Sequence, residues 1–235
     1  MPEIRVNGTS IHYRIAGSGH PFVFTHGGDL DSSSWDSQVA FFSDRYRVIT
    51  YDTRGHGRSE LPESGYRVDD CVEDLHQLLD HLGVERTYLA GLSMGGYISL
   101  CFALTYPHRV AALVLSGTNC GPVVDWLHKR GHEKAARMRA KGTDAAIRYV
   151  RAHEANVDRP DLTGRLSEIR VPVLLIVGER DIITPRRISE KMHSEIAGSR
   201  LVELPDTGHK CHEEQPQAFN SIVSDFLDEW ANPKF

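Results

Sequence analysis

Long apolar runs are missing from this sequence. None approaches the roughly 20 residues that a bilayer-spanning helix needs, so no membrane span is expected. Cysteine is scarce. Cys71, Cys101, Cys120 and Cys211 are scattered without the paired spacing of a metal site. Free thiols in a reducing cytoplasm are the expected state, with no bound metal. The opening Met1-Pro2-Glu3-Ile4-Arg5 lacks the basic-then-apolar order of a secretion signal, so a cytoplasmic location is expected. Positive charge is not in excess either. Lys and Arg number 27 against 32 Asp and Glu, a formal net charge of -5. That balance gives no reason to expect nucleic acid or an anionic membrane as a partner. Internal repeats and low-complexity stretches are absent. A chain of 235 residues fits one large domain, or one domain with a small insertion. Monomer and homodimer both stay open.

What is present is an alternation of strand and helix signals. Asn7-Gly8 between Ile4–Val6 and Ile11–Tyr13 marks a β-hairpin, because both residues tolerate positive φ. Short apolar runs follow at 21–25, 47–51, 87–90, 110–116, 171–177 and 200–204. Val173-Leu174-Leu175-Ile176-Val177 does not alternate, which suits a parallel strand buried on both faces. Val68, Val72, Leu75, Leu79 and Leu82 make one helical face that ends at Gly83. Phe219, Ile222, Val223, Phe226 and Trp230 make another near the C-terminus. The pattern predicts an α/β fold with a mostly parallel sheet covered on both sides. Between Cys120 and Arg170 there is no strand signal. A helix over 126–140 and a second, N-capped by Thr143, are expected there. The predicted organisation is a core of residues 1–119 and 171–235 with a helical cap over 120–170.

The chemistry centres on Gly91-Leu92-Ser93-Met94-Gly95. A strand-like run enters this Gly-x-Ser-x-Gly and a helix-compatible run leaves it. A serine on such a tight turn is strained and exposes its oxygen, and the glycines avoid collisions with the strand and helix alongside. A serine nucleophile needs a base. His209 follows the last apolar run, at the carboxyl end of a predicted parallel strand, where open α/β sheets place their sites. His26 and His56 lie in glycine-rich turns and are expected to be structural; His212 is expected to hold the loop or start the last helix. The base needs an acid. Asp181 follows the 171–177 run and is favoured over Asp206, which is expected to brace a turn, as is Glu179. A tetrahedral intermediate needs backbone donors. The amide of Met94 and that of Gly28, in Thr25-His26-Gly27-Gly28-Asp29, are the candidates. Asp52-Thr53-Arg54-Gly55-His56-Gly57-Arg58-Ser59 lacks the ending of a nucleotide P-loop. It is expected to be a buried turn braced by an Asp–Arg pair.

Together these segments resemble the α/β-hydrolase family over almost the whole chain. The resemblance rests on His26-Gly27-Gly28, the Asp52–Ser59 turn, Gly91-x-Ser93-x-Gly95-Gly96, Gly178-x-x-Asp181 and Gly208-His209. It implies an eight-stranded mostly parallel sheet, a cap after the sixth strand and no cofactor. The ending His209-x-x-x-Glu213-x-x-Pro216 is similar to the esterase and 3-oxoadipate enol-lactonase group. Ser93 excludes the haloalkane dehalogenases and epoxide hydrolases, which use aspartate.

The expected activity is hydrolysis of a small carboxylic ester or lactone by Ser93, His209 and Asp181. Carbon–carbon bond hydrolysis, opening of acyl-homoserine-type lactones and perhydrolysis use the same triad. A hydrolase-like receptor with little turnover is the alternative of another class. Asp29, Cys120 and Trp126 are candidate substrate contacts. Between Asp125 and Arg151 there are eight Lys or Arg and three Asp or Glu. Two readings stay open for this basic stretch: a solvated face, or attraction of an anionic substrate.

Overall fold

The computed structural model describes residues 2–122, 129, 133–134, 136–138, 140–143, 146–147, 150 and 159–231. The chain opens with the antiparallel hairpin β1 (Glu3–Val6) and β2 (Thr9–Ala16). Asn7 and Gly8 turn it with φ of 43° and 77°. The remaining strands are β3 (His20–Thr25), β4 (Tyr46–Tyr51), β5 (Thr87–Leu92), β6 (Val110–Ser116), β7 (Val173–Gly178) and β8 (Arg200–Leu204). They form one eight-stranded sheet in the order β1-β2-β4-β3-β5-β6-β7-β8. β2 pairs antiparallel with β4, and every pair from β4 to β8 along that order is parallel.

The non-alternating strand runs have a direct cause: both faces of the sheet are covered. Leu113, Leu115, Val173 and Leu175 point to a core shared with α2 (Val68–His81), α3 (Met94–Thr105) and α4 (Arg186–Glu195). Ala112, Val114, Leu174 and Ile176 point the other way. Their partners include Phe42 of α1 (Asp36–Phe42), Cys211 of the short α5 (Cys211–Glu214), and Phe219 and Val223 of α6 (Pro216–Ala231). α3 is buried almost all round, so its sequence shows no amphipathic stripe.

Local expectations meet mixed outcomes. α2 buries the expected Val68, Val72, Leu75 and Leu79, and Gly83 follows with φ 63°. In α6 the last inward position is Leu227, whereas Trp230 is half exposed. The Asp52 turn is braced differently from the expected Asp–Arg pair. The Asp52 carboxylate accepts from the backbone amides of Ser32 (2.7 Å) and Arg58 (2.9 Å). Arg54 instead forms a buried two-point pair with Asp74 of α2. A turn that lies against a helix finds its counter-charge on that helix, which adjacency in sequence does not reveal.

Only part of the predicted cap lies among the described residues. Thr143 caps as expected: its Oγ1 accepts from the Ala146 amide at 3.3 Å. Thr163–Glu168 is an unforeseen 3-10 helix. Trp126, the start of the expected helix over 126–140, lies outside the described residues.

The sheet order sets the place of the site. From β3 the chain goes to β4 on one side and then returns to β5 on the other. The loops leaving β3 and β5 therefore diverge and open a crevice at the carboxyl ends of the strands.

Candidate active site

Ser93 sits in that crevice, between β5 and α3. Its backbone has φ 52° and ψ -112°, a conformation a non-glycine residue holds only when its surroundings impose it. Those surroundings are dense. A Cβ on Gly91 would lie 2.3 Å from the Gly95 carbonyl oxygen, and one on Gly95 would lie 2.2 Å from that of Thr25. Glycine at both positions lets strand, turn and helix approach this closely. The Ser93 amide donates to the Ser116 carbonyl at 2.9 Å. Its own carbonyl accepts from the Tyr97 amide (3.0 Å) and from Thr118 Oγ1 (2.7 Å). The backbone is thus fully occupied, and the hydroxyl is the group left for chemistry.

His209 and Asp181 come from the loops after β8 and β7. The loops are locked together, since a Cβ on Gly178 would lie 2.1 Å from the Gly208 carbonyl oxygen. His209 Nδ1 lies 2.8 Å from Asp181 Oδ2. The Asp181 side chain is fully buried and that of His209 is 17% exposed, so one end of the ring is sealed and the other is accessible. Asp181 Oδ1 accepts from the amides of Ile183 (2.8 Å) and Thr184 (2.9 Å), and Oδ2 also accepts from Thr184 Oγ1 (2.6 Å). Burial by itself raises the Asp181 pKa. The hydrogen bonds from His209 and Thr184 outweigh it and hold the carboxyl below 3.8. An ionised carboxylate only accepts, so the proton between the two is on Nδ1. The neutral ring then carries its lone pair on Nε2.

Gly117 connects this pair to Ser93. It follows Ser116, which holds the Ser93 amide, and has φ 49°. A Cβ there would lie 3.1 Å from His209 Nδ1, so glycine leaves room for the imidazole. Glu214 of α5 holds the other side of the loop: its carboxylate accepts from the amides of Gly208 (2.7 Å) and Lys210 (3.0 Å). Glu213, the residue of the family-like ending, pairs with Lys210 at 3.1 Å instead.

The remaining candidates separate clearly. Asp206 faces outward and pairs with Arg180, while Glu179 accepts from the Asp206 amide at 2.8 Å. Both brace the turn. His212 is buried with its ring 4.0 Å from that of Trp35. Gly28 and Met94 are neighbours: a Cβ on Gly28 would lie 3.6 Å from Met94 Sδ. Asp29 is exposed, 3.7 Å from Lys134. Cys120 is buried, with Sγ 3.5 Å from Thr163 Oγ1. Trp126 lies outside the described residues. No group of three or more metal-ligating side chains occurs among the described residues.

Thr184 and Glu214 were not foreseen. The spacing Asp181-x-x-Thr184 is that of a carboxylate capping the turn that follows it, and is a readable signal. Glu214 gives none, because its acceptors are used by loop amides that only the folded chain brings to it.

Comparison with known proteins agrees with this architecture. The family model described as alpha/beta hydrolase fold matches residues 20–146, and one described as TAP-like protein matches residues 151–234. The 3-oxoadipate enol-lactonase 2 of Acinetobacter baylyi is 30% identical, over 86% of this chain and 86% of its own. A 2-hydroxy-6-oxononadienedioate/2-hydroxy-6-oxononatrienedioate hydrolase of Paraburkholderia phymatum is 29% identical, over 92% and 90%. The structure of a thermophilic esterase from Thermogutta terrifontis, with malate bound, superposes with a TM-score of 0.90 at 28% identity, covering 99% of this chain and 100% of that one. With the sheet order, the serine turn and these matches together, the chain belongs to the alpha/beta hydrolase fold family.

Proposed function

We propose that the protein hydrolyses small carboxylic esters or lactones through an acyl-enzyme on Ser93. The observation that carries this reading is the His209–Asp181 pair, 2.8 Å apart. It is built on loops at the same end of the sheet as the strained Ser93 turn. His209 Nε2 takes the hydroxyl proton as Ser93 Oγ attacks the carbonyl carbon. The amides of Gly28 and Met94 donate to the oxygen that becomes negative. The intermediate collapses, the C–O bond breaks, and His209 returns the proton to the leaving alkoxide. Water then attacks the acyl-enzyme with His209 again as base, releasing the acid and restoring Ser93. In a lactone the leaving hydroxyl stays attached to the acyl group. Asp181 holds the ring in the required tautomer and stabilises the imidazolium formed in each step.

The substrate class is narrowed by two further observations. The names of the relatives carry acid groups, oxoadipate and nonadienedioate, and the esterase was solved with malate. Lys134 of the basic stretch reaches Asp29, next to Gly28. Both support a carboxylate-bearing ester or lactone. Carbon–carbon bond hydrolysis is the second reading, favoured by the 29% identity to the nonadienedioate hydrolase.

The test is turnover of a panel of p-nitrophenyl esters, lactones and vinylogous diketones by the wild-type protein and Ser93→Ala. Multiple turnover of the esters or lactones that vanishes in the variant supports the proposal. Turnover of the diketones alone supports the second reading. Binding with at most one slow turnover supports the receptor alternative and overturns both.

A further inference from the structure

Gly27 and Gly28 carry no side chains, so nothing of their own fixes the direction of their peptide groups. Glycine is also the residue with the widest choice of backbone conformations. The loop is held by two imidazoles, its own His26 and His56 of the neighbouring turn, joined through Thr53. His26 Nδ1 lies 2.7 Å from the Gly27 carbonyl oxygen, which also accepts from the Leu30 amide at 3.1 Å. His56 Nε2 lies 2.8 Å from the Gly28 carbonyl oxygen. The Thr53 amide donates to His26 Nε2 at 3.0 Å. Thr53 Oγ1 lies 2.9 Å from His56 Nδ1 and 3.2 Å from His26 Nε2.

Proton counting together with the contact distances selects one arrangement for two neutral rings. His26 Nε2 receives the Thr53 amide proton, so its own proton is on Nδ1, aimed at the Gly27 carbonyl. Carbonyl oxygens lie near both His56 nitrogens, that of Gly28 2.8 Å from Nε2 and that of Arg54 3.1 Å from Nδ1. The shorter contact, with the Thr53 hydroxyl as a donor beside Nδ1, assigns the proton to Nε2, aimed at the Gly28 carbonyl. The Thr53 hydroxyl then donates to His56 Nδ1. Burial lowers the pKa of both rings, that of His26 to about 4, which keeps them neutral near pH 7.

In a trans peptide the N–H points opposite to the preceding C=O. Holding the Gly27 carbonyl therefore aims the Gly28 amide the other way. Holding the Gly28 carbonyl fixes the peptide on the far side of the same Cα. We infer that His56 is a positioning residue for hydrolysis: its Nε2–H on the Gly28 carbonyl fixes the Gly28–Asp29 peptide and so restrains the rotation at Gly28 that would carry its amide away from the oxygen of the carbonyl under attack. Thr53 acts through it by setting its tautomer. The inference rests on the reading of Gly28 as an oxyanion donor.

The test compares His56→Gln with His56→Asn. The Gln amide nitrogen reaches the place of the ring Nε2; the shorter Asn amide does not. kcat and KM are measured with p-nitrophenyl acetate, and Ki with an aryl trifluoromethyl ketone, which forms a tetrahedral oxyanion on a serine. For His56→Asn the expected result is a kcat lowered about tenfold, a loss smaller than removal of an oxyanion donor outright. KM stays near the wild-type value and Ki rises by the same factor as kcat falls. His56→Gln recovers most of both. Thr53→Val keeps its backbone amide and is expected between Asn and wild type. It carries the same matched loss in kcat and Ki should the His56 variants fail to fold. Equal activities of the Asn and Gln variants, a loss confined to KM, or an unchanged Ki overturns the inference while Ser93-dependent turnover stands. Wild-type protein without esterase activity, or Ser93→Ala that retains it, overturns the functional reading and the inference with it.

Discussion

Asp181 has its acceptor capacity filled: two backbone amides on one oxygen, the Thr184 hydroxyl and His209 Nδ1 on the other. An amide in its place would present N–H where two of these donors now point. The imidazole would then lose its partner or turn to the wrong tautomer. Asp181→Asn is expected to lower kcat/KM for an ester by about 10⁴-fold, the scale seen when a triad acid becomes its amide. Asp206→Asn is the control. Asn tolerates the φ of 54° at that position, and the exposed pair with Arg180 contributes little. Its rate should stay within about twofold of wild type. A large loss for Asp206→Asn with a small one for Asp181→Asn would reverse the assignment. Ser93, Asp181 and His209 could be singled out as candidates because each stands in a recognisable place: a strand-to-helix turn, or a loop at a strand's carboxyl end. Thr53, His56 and Glu214 were not legible as neighbours of the candidate site. His56 and Glu214 meet loop backbone, whose directions are not written in side-chain types, and Thr53 meets the rings of His26 and His56, which only the fold brings to it.

At the scale of elements, two histidines tie the layers of the fold to pH. His26 is sealed beneath the β3 loop, and burial, with the neighbouring His56, lowers its pKa to about 4. His212 in α5 packs on Trp35, and burial lowers its pKa to about 3. In the unfolded chain both titrate near 6.5. Below that pH the unfolded state binds protons that the folded state refuses, so stability falls as pH drops from 6.5 towards 4. Above 6.5 these groups leave stability unchanged. His26 and His212 together contribute a slope of up to ~3 kcal/mol per pH unit, and His20 and His56, whose pKa values burial also lowers, add to it. The urea midpoint should therefore be lower at pH 5 than at pH 7.5, and His212→Phe should remove part of the difference. A pH-independent midpoint, or an unchanged slope in the variant, would contradict this account. The strands and α2 were legible from apolar patterning. The Arg54–Asp74 pair and the outward turn of Trp230 were not, because both depend on which helix lies against which loop.

For the whole molecule, charge is unevenly placed. The chain carries a formal -5, yet the 125–151 stretch is basic. Among its described residues Lys129, Lys134, Arg137 and Lys141 are exposed. Arg137 lies near Glu133 (3.9 Å), and Lys134 reaches across to Asp29 (3.7 Å). Exposed charges at these distances act mainly on encounter and weak binding. Arg137→Ala and Lys134→Ala should each raise KM for a succinate half-ester about two- to fourfold, the range of an exposed ion pair, and leave KM for a neutral acetate ester unchanged. Added salt should do the same to the wild type. Equal effects on both esters would remove the electrostatic reading of the cap. The basic character of this stretch was legible in the sequence; the acyl group the protein accepts was not, since pocket shape arises only in the folded chain. The central claim is the covalent step on Ser93. Mass spectrometry of protein quenched during turnover of a p-nitrophenyl ester tests it most directly. The account predicts an acyl adduct on the peptide containing Ser93, absent in Ser93→Ala. Full turnover with no adduct in wild type, and undiminished turnover in the variant, would contradict it.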